Sequence, residues 1–215
     1  KFKKFYSINA VHIYNPVDKY KIVSLSKKKI KNLYKHKNSL KLIIVGRLSK
    51  EKDHITFLKS LKILLNKIKF EAVILGSGSQ KNIINDKIHK YNLQNFVKII
   101  SFKSNPYSYI NQSDILVLTS LHEGLPNILI EAAVLKTFVI SSDCETGPKE
   151  ILLNGKAGAL FKVSNFKQLA KKILYFSGNK KIMDTMVNIN YSNLHRFDFN
   201  KNLKAYLKII KTVNC

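Results

Sequence analysis

Nothing in this 215-residue sequence approaches the run of about 18 apolar residues that a membrane-spanning helix needs. The opening KFKKFYSINAVHIYNP also lacks the continuous apolar stretch and small-residue cleavage site of a secretory signal. Cysteine is nearly absent. Cys144 and Cys215 offer neither a disulfide framework nor a thiolate metal site, which fits a reducing, cytosolic setting. Acidic residues are scarce too, 13 against 38 basic ones, for a formal charge of +25. Arginine is scarcer still: Arg47 and Arg196 apart, every basic residue is lysine. A reader of nucleic acid is expected to use arginine forks and clustered aromatics, so nucleic acid is set aside as a partner. The lysines are spread over every segment and read as solvated faces. A surface this positive is still drawn to anionic headgroups, at roughly 1 kcal/mol per well-placed lysine. Charge alone therefore leads us to expect peripheral contact with the inner face of the cytoplasmic membrane.

What is present is a rhythm. With 45% hydrophobic residues the chain can bury one sizeable core. The runs LIIV (42–45), EAVIL (71–75), FVKII (96–100), DILVLT (114–119), TFVIS (137–141) and AGALF (157–161) read as strands. Most are continuously apolar, as strands covered on both faces are. The longer intervals between them read as helices. In DHITFLKSLKILLNKI, Leu58, Leu61, Leu65 and Ile68 form one helical stripe, with Asp53 a candidate N-cap. Such alternation implies right-handed crossovers and a parallel sheet. The expected fold class is α/β, a single Rossmann-like open sheet with helices on both faces, over residues 17–190. The lysine-rich SKKKIKNLYKHKN (26–38) reads as a surface helix or linker. FDFNKNLKAYLKII (197–210) reads as a final amphipathic helix with Leu203, Tyr206, Leu207 and Ile210 on one face.

In an open α/β sheet, chemistry is expected in the loops at the carboxyl ends of the strands. GRLSKEKD offers Gly46 for close approach and two cations, Arg47 and Lys52, at a helix start where an anion is already favoured. A diphosphate fits there; the plainer alternative is a solvated loop. GSGSQK places Gly76 and Gly78 at a strand end, but Lys81 holds the third position of the dinucleotide fingerprint. A nicotinamide cofactor is therefore not expected, and the two glycines either approach a base or sugar or simply turn the chain. In HEGLPNILIEAAV, Pro126 suits the first position of a helix. Glu123 then lies in the loop, Glu131 lies in the helix's first turns, and the amides of Gly124 to Ile128 form a positive mouth. An ionised carboxylate suits a vicinal diol such as that of a ribose. Two helix-start acids stabilising the dipole are the alternative.

Together these segments resemble the retaining glycosyltransferases of family 4, which have the GT-B architecture. The resemblance runs from IYNPVD through VGRLSKEKD, ILGSGSQ and SFKSNPYSYINQSDILVLTSLHEGLPNILIEAAV to SSDCETGPKEIL and the last helix. It implies that Arg47 and Lys52 neutralise the diphosphate of a nucleotide sugar without a metal or other cofactor. It also implies that Glu131 holds the ribose and Glu123 contacts the donor sugar. Gly124, Leu125, Asn127 and Ile128 would hold sugar hydroxyls and phosphate, with Gly46, Gly76, Gly78 and Phe102 bordering the nucleotide. Ser101 stands where relatives commonly place glycine. The NPVD turn follows the interlobe link in this family, so residues 1–16 are expected to be link or remnant of an N-terminal acceptor lobe, and residues 191–215 the helix that crosses back to it. The implied activity is transfer of a hexose or N-acetylhexosamine, with retention, from a uridine-linked donor to a polysaccharide or lipid-linked glycan acceptor in a bacterial cytoplasm. By the same resemblance, this half alone is inactive. A non-catalytic nucleotide-sugar or polyanion-binding domain and a sugar-nucleotide epimerase of the same architecture are the competing readings.

Overall fold

The computed structural model describes residues 11–213. Cys215 and the first ten residues of the expected link lie outside them. Six strands, β1 (Leu40–Val45), β2 (Phe70–Leu75), β3 (Val97–Ile100), β4 (Ile115–Leu118), β5 (Phe138–Ser142) and β6 (Ala159–Phe161), form one parallel sheet in the order β3-β2-β1-β4-β5-β6. Each expected strand is found, shifted by a residue or two at its ends. The pairing of β1 with β2 runs in register from Leu40 opposite Phe70 to Val45 opposite Leu75.

Alternate residues of each strand feed two separate cores. Leu42, Ile44, Ile74, Val117 and Ile140 pack on one face. Ile43, Val73, Leu116, Leu118 and Val139 pack on the other. This two-sided burial is why the strand sequences show almost no polar positions. The first face is covered by α2 (His54–Leu64), α3 (Lys81–Lys90), α7 (Phe166–Ser177) and part of α8 (Lys180–Ser192). The second carries the single turns α4 (Tyr107–Ile110) and α6 (Pro148–Ile151) together with α5 (Asn127–Val134).

Two boundaries differ from the sequence reading. The stripe Leu58, Leu61, Leu65, Ile68 is cut short because α2 ends at Leu64, which is buried beside Leu58 and Leu61. The amides of Lys67 and Ile68 both turn back to the Leu64 carbonyl, so Leu65 and Ile68 meet the core from a turn. The lysine-rich segment is a linker, and the helix lies before it, as α1 (Lys19–Ser26), N-capped by Asp18. The linker is not wholly surface: Leu33 is buried, and the Tyr34 hydroxyl reaches the Leu42 carbonyl at 3.1 Å and Ser113 Oγ at 2.6 Å. The last helix, α9 (Phe199–Val213), leaves Leu203, Tyr206, Leu207 and Ile210 exposed.

Asp53 does cap α2, with a left-handed backbone (φ 42°). Its carboxylate accepts from the Thr56 amide at 3.2 Å, the Thr56 hydroxyl at 2.7 Å and the Ser164 hydroxyl at 2.9 Å. Replacing Asp53 by alanine is expected to lower the stability measured by urea unfolding by about 1–2 kcal/mol. Asparagine, which tolerates the left-handed conformation and keeps an acceptor, should cost clearly less.

Candidate functional site

Strand order reverses between β1 and β4: the chain leaves β1 toward β2 on one side and leaves β4 toward β5 on the other. The crevice at the carboxyl end of such a switch point is where open α/β sheets take ligands. The two loops that bound it are tied together. A 3₁₀ turn (Lys50–Lys52) follows β1, and its Glu51 carbonyl accepts from the Leu121 amide at 2.8 Å. The Lys52 carbonyl accepts from the Thr119 hydroxyl at 2.7 Å. Across the gap Lys52 Nζ meets Glu123 Oε1 at 2.5 Å, and the Ser120 hydroxyl donates to the same oxygen at 2.6 Å. The Glu123 side chain is 11% exposed and that of Lys52 30%, so the carboxylate is largely shielded while the ammonium still reaches water.

The loop after β5 buttresses that arrangement from behind. Ser142 Oγ and Cys144 Sγ both donate to the Ser120 carbonyl, at 2.7 and 3.0 Å, and the Thr146 hydroxyl donates to the Glu123 carbonyl at 2.5 Å. Gly147 has φ +87°, and a Cβ there would sit 1.9 Å from the Gly124 carbonyl oxygen, so no other residue lets the two loops meet. None of these supports was singled out from sequence. The SSDCETGPKEIL segment entered the resemblance, but its sequence does not show which loop it holds.

Gly124 itself is different. A Cβ there would meet no protein atom within 4 Å, so packing does not require glycine at that place. Pro126 is the N-cap of α5 with an extended ψ of 100°, one residue earlier in the helix than its suitability for a first helical position led us to expect. Its fixed φ fits either position. Among the described residues the amides of Asn127 and Ile128 donate to no protein acceptor, as the first turn of a helix dictates, and those of Gly124 and Leu125 in the preceding loop are likewise without one. The side chain of Asn127 is exposed and accepts from Asn15 Nδ2 at 3.1 Å.

Glu131 lies one helical turn beyond Asn127, on the same face. Burial raises its pKa above the ordinary carboxylate value, and a hydrogen bond from the Tyr107 hydroxyl at 3.5 Å partly offsets this. Tyr107 lines a cleft of about 490 Å³ together with Gly46, Arg47, Gly76, Phe102 and Pro106. Arg47 is exposed and makes no ion pair among the described residues, and Phe102 is 70% exposed. The Lys52 side chain lies over Gly46, 3.9 Å from where its Cβ would be. Gly46, Arg47 and Tyr107 thus line one cleft, with the Lys52–Glu123 pair adjoining it through Gly46 and Glu131 adjoining it through Tyr107. Gly76 and Gly78 are also required by packing. A Cβ on Gly76 would fall 1.9 Å from the Gly46 carbonyl oxygen, and one on Gly78 would fall 2.4 Å from that of Leu48. Their bareness lets the loop after β2 dock on the loop after β1. A larger hollow, about 800 Å³, lies at the opposite end of the sheet by the strand starts Leu40 and Phe138, remote from the crevice. Among the described residues no three His, Cys, Asp or Glu side chains are grouped to hold a metal ion.

His54, next to Lys52 and Asp53, was also missed. It is 2% exposed, and neither ring nitrogen finds a partner among the described residues. Burial lowers its pKa from 6.5 to about 4, against the pull of Asp53. The folded state therefore holds it neutral where the unfolded chain binds a proton. Its contribution to stability is full above pH 6.5 and is lost as pH falls toward about 4. In urea unfolding from pH 7.5 to 4.5, His54→Leu should show a shallower loss of stability than the wild type.

The family of glycosyl transferases group 1 matches residues 26–194 of the chain. An uncharacterized glycosyltransferase of Methanocaldococcus jannaschii is 39% identical over 135 residues, covering 61% of this chain and 33% of that protein. A Campylobacter jejuni 4-alpha-N-acetylgalactosaminyltransferase that acts on a diphospho-undecaprenol-linked sugar is 27% identical over 169 residues, covering 79% and 46%. The chain thus spans between a third and a half of the length of these relatives. Among solved structures, a glycosyltransferase from Rickettsia africae superposes with a TM-score of 0.85 at 21% identity, covering 99% of this chain and 60% of that one. Anabaena HepE, solved with UDP and glucose, gives 0.83 at 18% identity, covering 93% and 56%. At those identities the likeness speaks for the fold alone, and the fold agrees with the sequence match. By that match, over most of its length, the chain belongs to the glycosyl transferases group 1 family.

Proposed function

We propose that this chain is the nucleotide-sugar-binding half of a retaining glycosyltransferase. In this reading it transfers a hexose or N-acetylhexosamine from a uridine diphosphate sugar to a polysaccharide or lipid-linked glycan acceptor. The observation that carries the reading is a cleft at the switch point lined by Gly46, Arg47 and Tyr107, with Lys52, paired to Glu123, over Gly46 and with Glu131 hydrogen-bonded to Tyr107. Each suits one part of such a donor. Arg47 offers a planar fork to the diphosphate. Lys52 carries three N–H donors, so it can retain Glu123 and still give a proton to a phosphate oxygen. Charge that develops on the departing diphosphate is then met by fixed cations and amides, and in this reading no metal is needed. Glu131 accepts from the ribose diol, and Glu123, held by Lys52 and Ser120, lies where the sugar ring would reach the mouth of α5. The space beside Gly124 lets the donor approach the backbone. The complex of HepE with UDP and glucose, and the sugar transfer named for the Campylobacter jejuni relative, agree with this assignment.

The acceptor side is assigned to a further, N-terminal half of the whole protein. The exposed apolar stripe of α9 suits the helix that returns to it. This chain alone should therefore bind UDP without transferring sugar. In titration calorimetry Arg47→Ala and Glu131→Ala should each weaken UDP by roughly 10- to 100-fold, the range for losing a charged hydrogen bond. Arg47→Lys should recover only part of the loss. Efficient transfer by the chain alone, or UDP binding indifferent to both alanine variants, speaks against the proposal.

The charge of +25 supports a peripheral seat on the cytoplasmic face of a membrane. No helix among the described residues is long and apolar enough to cross one. Sedimentation with phosphatidylglycerol vesicles should be strong at low salt and fall as salt rises. Failure to sediment even at low salt removes the membrane from the scheme.

A further inference from the structure

Glu131 is buried in part, lies within a helix, and is paired with no cation among the described residues. One hydrogen bond to its carboxylate appears there, from the Tyr107 hydroxyl, at 3.5 Å between oxygens. That is long beside the ~2.7 Å usual for O–H···O contacts, so the pair has room to tighten when a ligand arrives. A carboxylate has about four lone-pair sites. Tyr107 engages one oxygen and leaves the others open.

The position of Tyr107 is itself anchored. Asn105 Oδ1 accepts from the Tyr107 amide at 3.1 Å, while Asn105 Nδ2 and Ser108 Oγ both donate to the Leu25 carbonyl at the end of α1, each at 3.0 Å. The turn bearing Tyr107 is thereby fixed to a neighbouring helix, and the ring lines the cleft beside Arg47 and Phe102. A residue that only walled the cleft would need no hydroxyl aimed at the one carboxylate lying behind it.

Resting on the nucleotide reading above, we infer that Tyr107 is a positioning residue that orients the Glu131 carboxylate toward the 2′ and 3′ hydroxyls of a ribose, so that the cleft distinguishes ribonucleotides from nucleotides lacking the diol. Tyr107 donates to one oxygen and blocks rotation of the carboxylate toward the cleft wall. The remaining lone pairs then accept from both hydroxyls at once. Removing the Tyr107 oxygen leaves Glu131 in place but free to turn, so the loss should appear only with ligands that carry the diol.

The test is titration calorimetry of the wild-type chain, Tyr107→Phe and Glu131→Ala with UDP and with 2′,3′-dideoxyuridine diphosphate. Thermal unfolding of each variant serves as the check on folding. The wild type should prefer UDP. Tyr107→Phe should lose about tenfold on UDP and less than about twofold on the dideoxy compound, with Glu131→Ala abolishing the preference. If Tyr107→Phe weakens both nucleotides equally, or neither, while Glu131→Ala still erases the preference, Tyr107 is only part of the wall. The inference then fails and the nucleotide reading stands. If the wild type binds neither nucleotide, the reading of the cleft fails and the inference goes with it.

Discussion

The crevice exists because β1 and β4 are neighbours whose chains depart in opposite directions. Everywhere else in the sheet a crossover helix returns over the adjacent strand and fills the groove above it. Between these two strands nothing returns, and the loop ends face each other across a gap of one strand spacing. A gap lined by strand ends exposes unpaired peptide groups, so the protein must tie its rims together without closing it. It does so with the Leu121–Glu51 backbone bond, the Thr119 hydroxyl on the Lys52 carbonyl and the Lys52–Glu123 ion pair. The candidate chemistry sits in these ties and beside them.

A second constraint is that the loops rest on one another through bare backbone. Gly76 meets Gly46, Gly78 meets Leu48, and Gly147 meets Gly124. Backbone-to-backbone contact transmits position with less slack than a contact through rotatable side chains. The mouth of α5 is thus held by the loop after β5, through Gly147 packed on the Gly124 carbonyl. Ser142, Cys144 and Thr146 serve the same end through the carbonyls of Ser120 and Glu123.

The sheet was legible because burial on both faces forces apolar runs that period-2 alternation would not give, and the six runs stand out between lysine-rich helices. The α2 stripe misled at its end, since Leu65 and Ile68 are apolar for the same core but reach it from a turn. The candidate residues were legible as motifs: Arg47, Lys52 and Glu123 lie in the loops that topology singles out, Glu131 lies in the helix that follows, and contacts join Lys52 to Glu123 and Tyr107 to Glu131. What the sequence could not show was contact between distant segments. Tyr107 and Glu131 are 24 positions apart, and Thr146 and Glu123 are 23 apart. His54 looks like any helix-start residue until its burial is seen. Gly76 and Gly78 looked like ligand contacts or turns because a glycine's partner is invisible in the chain.

The Lys52–Glu123 pair gives the crevice a threshold. Glu123 sits 2.5 Å from Lys52 Nζ and balances its charge, leaving the ammonium two further N–H donors. A small anion approaching Lys52 meets a cation whose charge Glu123 already balances, beside a carboxylate that repels it. A longer anion that also reaches Arg47, which makes no ion pair among the described residues, escapes that balance, so the pair weights this part of the surface toward reach rather than charge alone.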